Sequence, residues 1–138
     1  MKKTNKAGLT KEEVEAMKET LKERRSGETQ GEPAILAKIA AMPEPDKSLS
    51  KKLHALIKTT APNLGMRTWY GMPAYTRGED IICFFQPASK FKARYLTLGF
   101  SDRAKLDEGK IWPVTYAITK LTPTEEAKVK ALVKKAIG

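Results

Sequence analysis

The sequence predicts an α+β fold, in which helices pack on an antiparallel sheet of four to five strands, preceded by an N-terminal helical extension. Two observations predict this fold. Apolar residues recur with helical spacing before residue 62 and after residue 122, whereas between them the period shortens to two and turn residues become frequent. Helices first, strands next and a closing helix is the order of an α+β domain rather than of alternating βαβ units. With 138 residues, the chain has the usual size of one domain.

The N-terminal extension, residues 1–30, is predicted to contain one helix. Thr10 and Glu13 have the spacing of a capping box, in which the hydroxyl and the carboxylate each bind a free backbone N–H. We expect residues 1–9 to be disordered and residues 31–138 to form the main domain. The apolar residues that follow on one face of the helix are Val14, Met17 and Leu21.

Two helices are predicted ahead of the sheet. The first begins at Pro33, which suits the first helical turn, and ends before Pro43-Glu44-Pro45. The second is capped by Asp46 or Ser48 and ends at Pro62. The side chains predicted to face the core are Ile35, Leu36, Ile39 and Met42 in the first helix, and Leu49, Leu53, Leu56 and Ile57 in the second.

The middle of the chain is predicted to be sheet. The run 81–85 has no polar alternation, which favours a central strand covered on both faces. In the next strand Leu96, Leu98 and Phe100 point to one face, and a short helical connection is expected at 102–107. The predicted strands are 66–70, 75–77, 80–86, 94–100 and 112–118.

A closing helix is predicted from Thr122 onward. Thr122 and Glu125 form a second capping-box pattern, with Pro123 at the first helical position. Its wide apolar face is expected to lie on the sheet and consists of Val129, Leu132, Val133, Ala136 and Ile137.

Composition indicates a soluble protein of a reducing compartment. The longest apolar run is 81–85, whereas a membrane-spanning helix needs about 20 apolar residues. Polar residues follow the lysine-rich start where a signal peptide has an apolar stretch, so we expect no export and a cytoplasmic location. The single cysteine, Cys83, lies within the apolar run, where cysteine usually behaves as a small buried hydrophobe.

The chain is basic, and its charge lies mainly in the main domain. The net charge is +10, and residues 31–138 carry +8 of it. Such a charge raises the affinity for any polyanion without giving specificity. The alternative is that interleaved lysines keep a small protein soluble.

No catalytic or cofactor motif is visible. The sequence lacks a phosphate-binding glycine loop, a dinucleotide fingerprint, a paired-histidine zinc motif and a nucleophile elbow. The single histidine, His54, falls at the border of a helix's apolar face, which favours a structural role over a base or a metal ligand. We therefore expect neither an enzyme nor a cofactor. An undetected small-molecule enzyme would need a buried carboxylate or tyrosine with a shifted pKa in a pocket.

A ligand groove is predicted around residues 68–75, Thr-Trp-Tyr-Gly-Met-Pro-Ala-Tyr. Gly71 permits backbone angles closed to other residues, and Pro73 removes a ladder donor, so the strand is expected to break. A bend flanked by aromatic residues can expose a groove for a flat or apolar ligand. The alternative is a β-bulge whose aromatic side chains pack under the helices. The predicted ligand-binding residues are Arg67, Trp69, Tyr70, Met72, Tyr75 and Arg77.

A polyanion site is predicted at Lys90, Lys92 and Arg94. These residues alternate with aromatic or small residues and share one face if the segment is extended. That arrangement suits stacking of rings on bases with the cations toward phosphates. The alternative is a solvated hairpin tip of the same composition.

The chain resembles the YdhG-like family, domain of unknown function 1801. An aromatic residue followed by Gly-Met-Pro-Ala-Tyr at 71–75 is the hallmark of that family, and the resemblance covers about residues 33–138. It implies a compact α+β fold with two principal helices on an antiparallel sheet, similar in layout to frataxin. For one member it implies a role as an iron chaperone. The supporting segments are Phe84-Phe85, Leu98-Gly99-Phe100 and the helix from Thr122-Pro123.

The sequence thus favours a non-enzymatic binding or chaperone-like module. Its ligand is expected to be a small molecule or a metal, with iron as the metal that the resemblance implies, held near the bend at 71–75. The alternative is weak, salt-sensitive binding of nucleic acid or another polyanion through the basic hairpin. No membrane partner is expected.

Overall fold

A computed structural model describes residues 10–16 and 31–138 of the chain. Within them the fold has four helices and a five-stranded antiparallel sheet, as predicted. The helices are α1 (residues 11–16), α2 (Glu32–Ala40), α3 (Asp46–Thr60) and α4 (Pro123–Ile137). The strands are β1 (Gly65–Trp69), β2 (Met72–Arg77), β3 (Asp80–Gln86), β4 (Leu96–Phe100) and β5 (Thr115–Ile118).

The five strands lie in the sheet in chain order. Each strand pairs antiparallel with its neighbour in sequence, because the short connections leave no room for the crossover that a parallel pair needs. β3 is the central strand and has its predicted bounds. β2 begins earlier than predicted, at Met72, whereas β4 and β5 begin later, at Leu96 and Thr115.

The Gly-Met-Pro-Ala-Tyr segment begins in a hairpin turn, at Gly71, and continues as the first four residues of β2. Tyr70 and Gly71 have φ angles of 50° and 75° and connect the paired residues Trp69 and Met72. A two-residue turn with positive φ at both positions suits the right-handed twist of the flanking strands. Gly71 is therefore required for a tight hairpin.

The predicted strand break at Pro73 is wrong. Pro73 is paired inside β2, and the ladder between β2 and β3 begins just after it, at Ala74, so the N–H that proline lacks leaves no gap there. The irregularity of the sheet lies farther along. The register shifts between Tyr75 and Thr76, where Ile82 of β3 is the extra residue of a β-bulge.

The core lies between one face of the sheet and helices α2, α3 and α4. Tyr75 and Phe85 are fully buried there, with ring centroids 6.3 Å apart. The alternation predicted for β4 is confirmed, since Leu96, Leu98 and Phe100 are all buried. Burial of each large aliphatic side chain stabilises the fold by about 1.5–3 kcal/mol. Helix residues that contribute to the core are Ile35, Ile39, Leu53, Ile57, Val129 and Val133.

One predicted core residue of α2 lies at the surface. Ile35 and Ile39 face the core, but Leu36 is 48% exposed. A helix turns by about 100° per residue, so the residue after Ile35 points away from the core when Ile35 and Ile39 define its buried face. The prediction for Leu36 is therefore wrong.

The N-cap residue of α3 is Pro45, and the side chain that binds a free N–H of the first turn is that of Glu44 rather than Asp46 or Ser48. The Glu44 carboxylate accepts hydrogen bonds from the Ser48 hydroxyl at 2.8 Å and from the Ser48 N–H at 2.9 Å, and both lower the pKa of Glu44. Asp46 is buried and accepts instead from the N–H groups of Ala88 and Ser89, at 3.2 and 2.9 Å. Its carboxylate thus fixes the loop after β3 to the start of α3.

Both capping-box patterns are used. The Thr10 hydroxyl accepts a hydrogen bond from the Glu13 N–H at 3.2 Å, which satisfies a free donor at the start of α1. In α4 the Thr122 N–H donates to the Glu125 carboxylate at 3.0 Å. The predicted starts of these two helices are therefore confirmed.

Helix α1 contacts the main domain. Lys92 Nζ, in the turn after β3, lies 3.1 Å from the Glu12 carboxylate, and Ala16 is buried. The predictions for residues 1–9 and 17–30 lie outside the described residues. The connection at 102–107 contains turns rather than the predicted helix. No helix in 10–16 or 31–138 is long and apolar enough to cross a membrane.

Candidate functional site

The aromatic residues of the predicted groove lie on two faces of the sheet. Tyr75 points to the helix-covered face, where its ring stacks on His54 of α3 with centroids 5.9 Å apart. Alternate residues of a strand point to opposite faces, so Met72 and its partner Trp69 lie on the other face. These side chains therefore do not form one aromatic wall.

Trp69, Tyr70 and Phe84 form an aromatic cluster on the face opposite the helices. The Trp69 ring meets those of Tyr70 and Phe84 edge to face, with centroids 5.1 Å apart in each pair. A Cβ at Gly99 would lie 2.6 Å from the Phe84 ring, so glycine lets this ring lie across β4. Phe84 is the partner that the groove prediction missed.

The two arginines of the predicted groove bond to backbone carbonyls on opposite faces. Arg67 Nε donates to the carbonyl of Thr68 at 3.0 Å. Arg77 Nη2 donates to the carbonyl of Ile137 at 2.8 Å, in the last turn of α4. A cation at a helix C-terminus satisfies a free carbonyl and interacts favourably with the helix dipole. Arg77 therefore stabilises α4.

A chain of hydrogen bonds joins Glu32, His54 and Tyr75. His54 Nε2 lies 2.7 Å from the Glu32 carboxylate, and His54 Nδ1 lies 2.8 Å from the Tyr75 hydroxyl. When the carboxylate accepts from Nε2–H, Nδ1 of a neutral histidine accepts from the Tyr75 O–H. His54, predicted at the border of the apolar face, is buried. No local sequence pattern indicates these hydrogen bonds, because the three residues come from α2, α3 and β2.

The electrostatics of the hydrogen-bonded residues Glu32, His54 and Tyr75 favour a structural role. Burial, together with the nearby Cys83 and Glu32, raises the pKa of Tyr75 well above its usual value, so the hydroxyl keeps its proton. Hydrogen bonds from Lys58 and His54 lower the pKa of Glu32, which therefore stays ionised. Burial also raises the pKa of Cys83 to about 12 and keeps it a thiol rather than a nucleophilic thiolate.

The basic residues of the predicted polyanion site are not on one extended face. Lys90 lies in a 3-10 turn, and Lys92 has a left-handed backbone with φ of 54° and pairs with Glu12. The Arg94 guanidinium lies 5.6 Å from the centroid of the Tyr95 ring. The shared face required an extended backbone, so that part of the prediction is wrong. Binding of polyanions through these residues stays a prediction.

The acidic side chains of the described residues do not gather into an iron site. Among residues 10–16 and 31–138, no three His, Cys, Asp or Glu side chains are grouped so as to hold a metal ion. Hard iron ions prefer oxygen ligands. The iron role that the resemblance implies stays a prediction.

A cleft of about 410 Å³ lies between strand β5 and helix α4. Leu98 and Ile118 line it from the sheet, and Val129 and Leu132 line it from the helix. Pockets that hold small ligands usually measure about 300–1,000 Å³ and are lined mainly by apolar side chains. We call this site the β5–α4 cleft. Its other lining residues are Tyr116, Ala117, Thr119, Lys120, Leu121, Glu125 and Lys128.

Two lysines supply the positive charge of the β5–α4 cleft. Lys120 and Lys128 are exposed, and neither makes a hydrogen bond or an ion pair with another residue of 10–16 or 31–138. The Glu125 carboxylate is already bound by the hydroxyl and N–H of Thr122, which lower the pKa of Glu125. Lys120 and Lys128 are therefore the charged groups of the cleft that are available to bind a ligand.

The sequence carried a signal for this cleft that was interpreted as core packing alone. The apolar face of α4 was predicted to lie on the sheet, and Val129, Val133 and Ala136 are indeed buried. Leu132 and Ile137 are only partly buried. The apolar face is wider than the sheet covers, because β5 is the last strand and has four residues. A wide apolar face beside a short edge strand was the available signal.

Comparison of the chain with protein-family models, with curated proteins and with solved structures gives no match. The resemblance to the YdhG-like family therefore stays a prediction. Since a fold alone does not imply a function, the chemistry of the β5–α4 cleft decides what the protein is proposed to do.

Proposed function

We propose that the protein is a non-enzymatic binding module whose ligand occupies the β5–α4 cleft. The observation that carries this proposal is the apolar cleft itself, with its volume of about 410 Å³. Apolar surface that enters such a site gains about 25 cal/mol for each Å² removed from water. The binding role expected from the sequence is thus kept, and its site moves from the bend at 71–75 to the cleft.

The ligand of the β5–α4 cleft is expected to carry negative charge beside its apolar part. Lys120 and Lys128 stand at the cleft, while its one acidic side chain, Glu125, is engaged by Thr122. The net charge of +10 adds a long-range attraction for anions. Charge and apolar lining together favour an amphipathic anion.

The composition of the cleft supports binding rather than catalysis. The single histidine and the single cysteine of the chain are buried elsewhere, in the core. Within the cleft, the Tyr116 hydroxyl donates to the Pro113 carbonyl at 3.4 Å, and Glu125 serves the cap of α4. No lining side chain is placed as a nucleophile next to a base, which covalent or acid–base catalysis needs.

Anilinonaphthalene sulfonate is a suitable probe, because it combines aromatic rings with one anionic group and fluoresces in apolar surroundings. We expect saturable binding with a stoichiometry of one site. Leu132→Gln, which places an amide in the apolar lining, is expected to weaken binding about tenfold, equivalent to roughly 1.4 kcal/mol.

Leu36→Gln is the matched control, because Leu36 is an exposed leucine of α2 that does not line the cleft. It is expected to leave the affinity unchanged. Far-ultraviolet circular dichroism checks that both variants fold. Equal affinities for the two variants, or a fluorescence rise that does not saturate, would contradict the proposal.

A further inference from the structure

Strand β5 presents an open edge beside the cleft. The Phe100 N–H donates to the Val114 carbonyl at 2.8 Å, which sets the alternation along this strand. In an antiparallel pair, every second residue turns both its N–H and its C=O toward the partner strand. Tyr116 therefore bonds to β4, whereas Thr115 and Ala117 turn their N–H and C=O groups outward.

The outward backbone groups are accessible. Thr115 and Ala117 are exposed, and no strand of the described chain pairs with β5 on its outer side. An unpaired edge is a template for another strand. This edge also lies beside the cleft, because Tyr116, Ala117 and Ile118 of β5 line the cleft together with residues of α4.

We propose that the occupant of the β5–α4 cleft is an extended segment of a partner protein, which adds to β5 as an antiparallel sixth strand and carries an acidic residue toward Lys120 and Lys128. This inference rests on the function proposed above and names the partner of the same site. Addition of a strand to an open edge beside a groove is a general mode of peptide recognition, in which backbone bonds give affinity and alternate side chains give specificity.

The geometry of the edge fixes the pattern of the partner segment. Peptide residues that bond to Thr115 and Ala117 share their face of the sheet, so their side chains point away from α4. The residues between them point to the side of Tyr116 and Ile118, which line the cleft. Apolar residues at these alternate positions would meet Leu132, and acidic residues at the ends would meet the two lysines.

Charge favours an acidic partner over a second copy of this chain. Antiparallel pairing of two identical β5 edges would bring together two chains that each carry a net charge of +10, with a Lys120 at each end of the paired strands. The strand is short and is flanked by Pro113 and Lys120, features that discourage pairing between identical edges. An acidic segment removes this repulsion and supplies the charge that the lysines lack.

The test uses the full chain and a fluorescein-labelled peptide with the sequence Asp-Thr-Val-Thr-Leu-Thr-Asp, capped at both ends. Its aspartate, valine and leucine side chains share one face, and the threonine N–H groups point toward β5 in the antiparallel register. One derivative has N-methylated threonines, and the matched derivative has N-methylated valine and leucine. A third peptide has asparagine in place of aspartate. Fluorescence anisotropy measures each affinity.

Methylation of the threonines is expected to weaken binding at least about tenfold, because it removes the donors to β5, whereas the matched derivative is expected to bind like the parent. The asparagine peptide is expected to bind a few-fold more weakly than the parent, and this difference in affinity should become smaller at high salt. Retention of binding by the threonine-methylated peptide would overturn strand addition. Equal binding of the asparagine peptide at low salt would overturn the acidic preference.

Thr115→Pro tests the same kind of bond from the side of the protein, at an exposed residue of the edge that does not line the cleft. It removes an outward N–H and leaves the ladder to β4 intact, since proline is tolerated on edge strands where its N–H would face solvent. Weaker peptide binding with unchanged binding of anilinonaphthalene sulfonate supports strand addition. If the parent peptide does not bind while the sulfonate saturates and responds to Leu132→Gln, this inference falls and the proposed function stands. If neither binds, both fall. Gel filtration at increasing concentration reports a second copy as the occupant, which would also overturn the inference.

Discussion

The region where α2 and α3 meet β2 differs from the region where α4 meets β5 in how its polar and apolar groups are arranged. Where α2 and α3 meet β2, the polar atoms of Glu32, His54 and Tyr75 are joined by hydrogen bonds beneath a packed surface. Where α4 meets β5, apolar side chains line an open cleft, and the backbone of the edge strand faces outward. On the first side, the polar side chains bind one another. On the second side, the outward N–H and C=O groups of β5 pair with no strand of the described chain.

The difference separates stability from binding. A buried polar network is costly to leave half satisfied, so it specifies one packing of the helices on the sheet. An apolar cleft beside an open edge contributes less to the fold but offers surface to a partner. The most distinctive sequence motif, at 71–75, belongs to the first side, because Tyr75 anchors the network. The proposed site belongs to the second.

The largest expected effect is that of Tyr75→Ala. Removal of a fully buried ring that contacts His54 and Phe85 should lower the free energy of unfolding by about 3–5 kcal/mol. Denaturant-induced unfolding measures this loss. Tyr75→Phe is the milder control, because it keeps the ring and leaves only His54 Nδ1 without its partner, at a cost of about 1–3 kcal/mol. If Tyr75→Phe stays fully stable but loses binding of anilinonaphthalene sulfonate, the division between the two sides is wrong.

A smaller effect is expected from Glu32→Gln, and it depends on pH. Hydrogen bonds from Lys58 and His54 hold the pKa of Glu32 below its usual value of 4.5. The folded protein therefore binds this proton less tightly than the unfolded chain does, and the carboxylate stabilises the fold fully above pH 4.5. This contribution is lost as the pH falls below that value.

The free energy of unfolding of wild type and Glu32→Gln, measured by urea titration across this pH range, checks the prediction. The difference between the two proteins should be constant above pH 4.5 and should narrow at lower pH. Glu79→Gln, in the exposed turn between β2 and β3, controls for removal of a surface carboxylate. A difference that widens on acidification would show that Glu32 is not held by these bonds.

The smallest effect is expected from Lys128→Gln on the open side. Loss of one exposed cation at the cleft should weaken binding of anilinonaphthalene sulfonate by a factor of about 1.4 to 5, since exposed ion pairs contribute about 0.2–1 kcal/mol. Added salt should reduce the difference from wild type. Lys130→Gln is the matched control, because Lys130 is exposed on the same helix and does not line the cleft. Equal effects of the two substitutions would mean that net charge, rather than the cleft, attracts the probe.

The sequence predicted the elements whose causes are local. The capping box of Thr122 and Glu125, the helical spacing around Leu53 and Ile57, and the unbroken apolar run of β3 each act within a few residues. The fold class followed from their order. The site was harder to predict, because its surfaces are formed by elements distant in sequence.

Two residues illustrate this limit. Asp46 has the position of a helix cap, but its carboxylate binds Ala88 and Ser89, which only the folded chain brings near. Pro73 was expected to break a strand. The β2–β3 ladder begins only at Ala74, so the N–H that Pro73 lacks costs no ladder hydrogen bond. In both cases the residue's local preference was known from the sequence, but its partners in the folded chain were not. The cleft at α4 is the same kind of case, since its width depends on where the sheet ends.

The measurement that tests the central claim most directly is a titration of the isotope-labelled protein with anilinonaphthalene sulfonate, followed by amide chemical shifts. If the β5–α4 cleft is the site, the shifts should centre on Tyr116, Ala117 and Leu132, and the amides of His54 and Tyr75 should stay unchanged. Shifts centred on the bend at 71–75, with none along β5 and α4, would contradict the account.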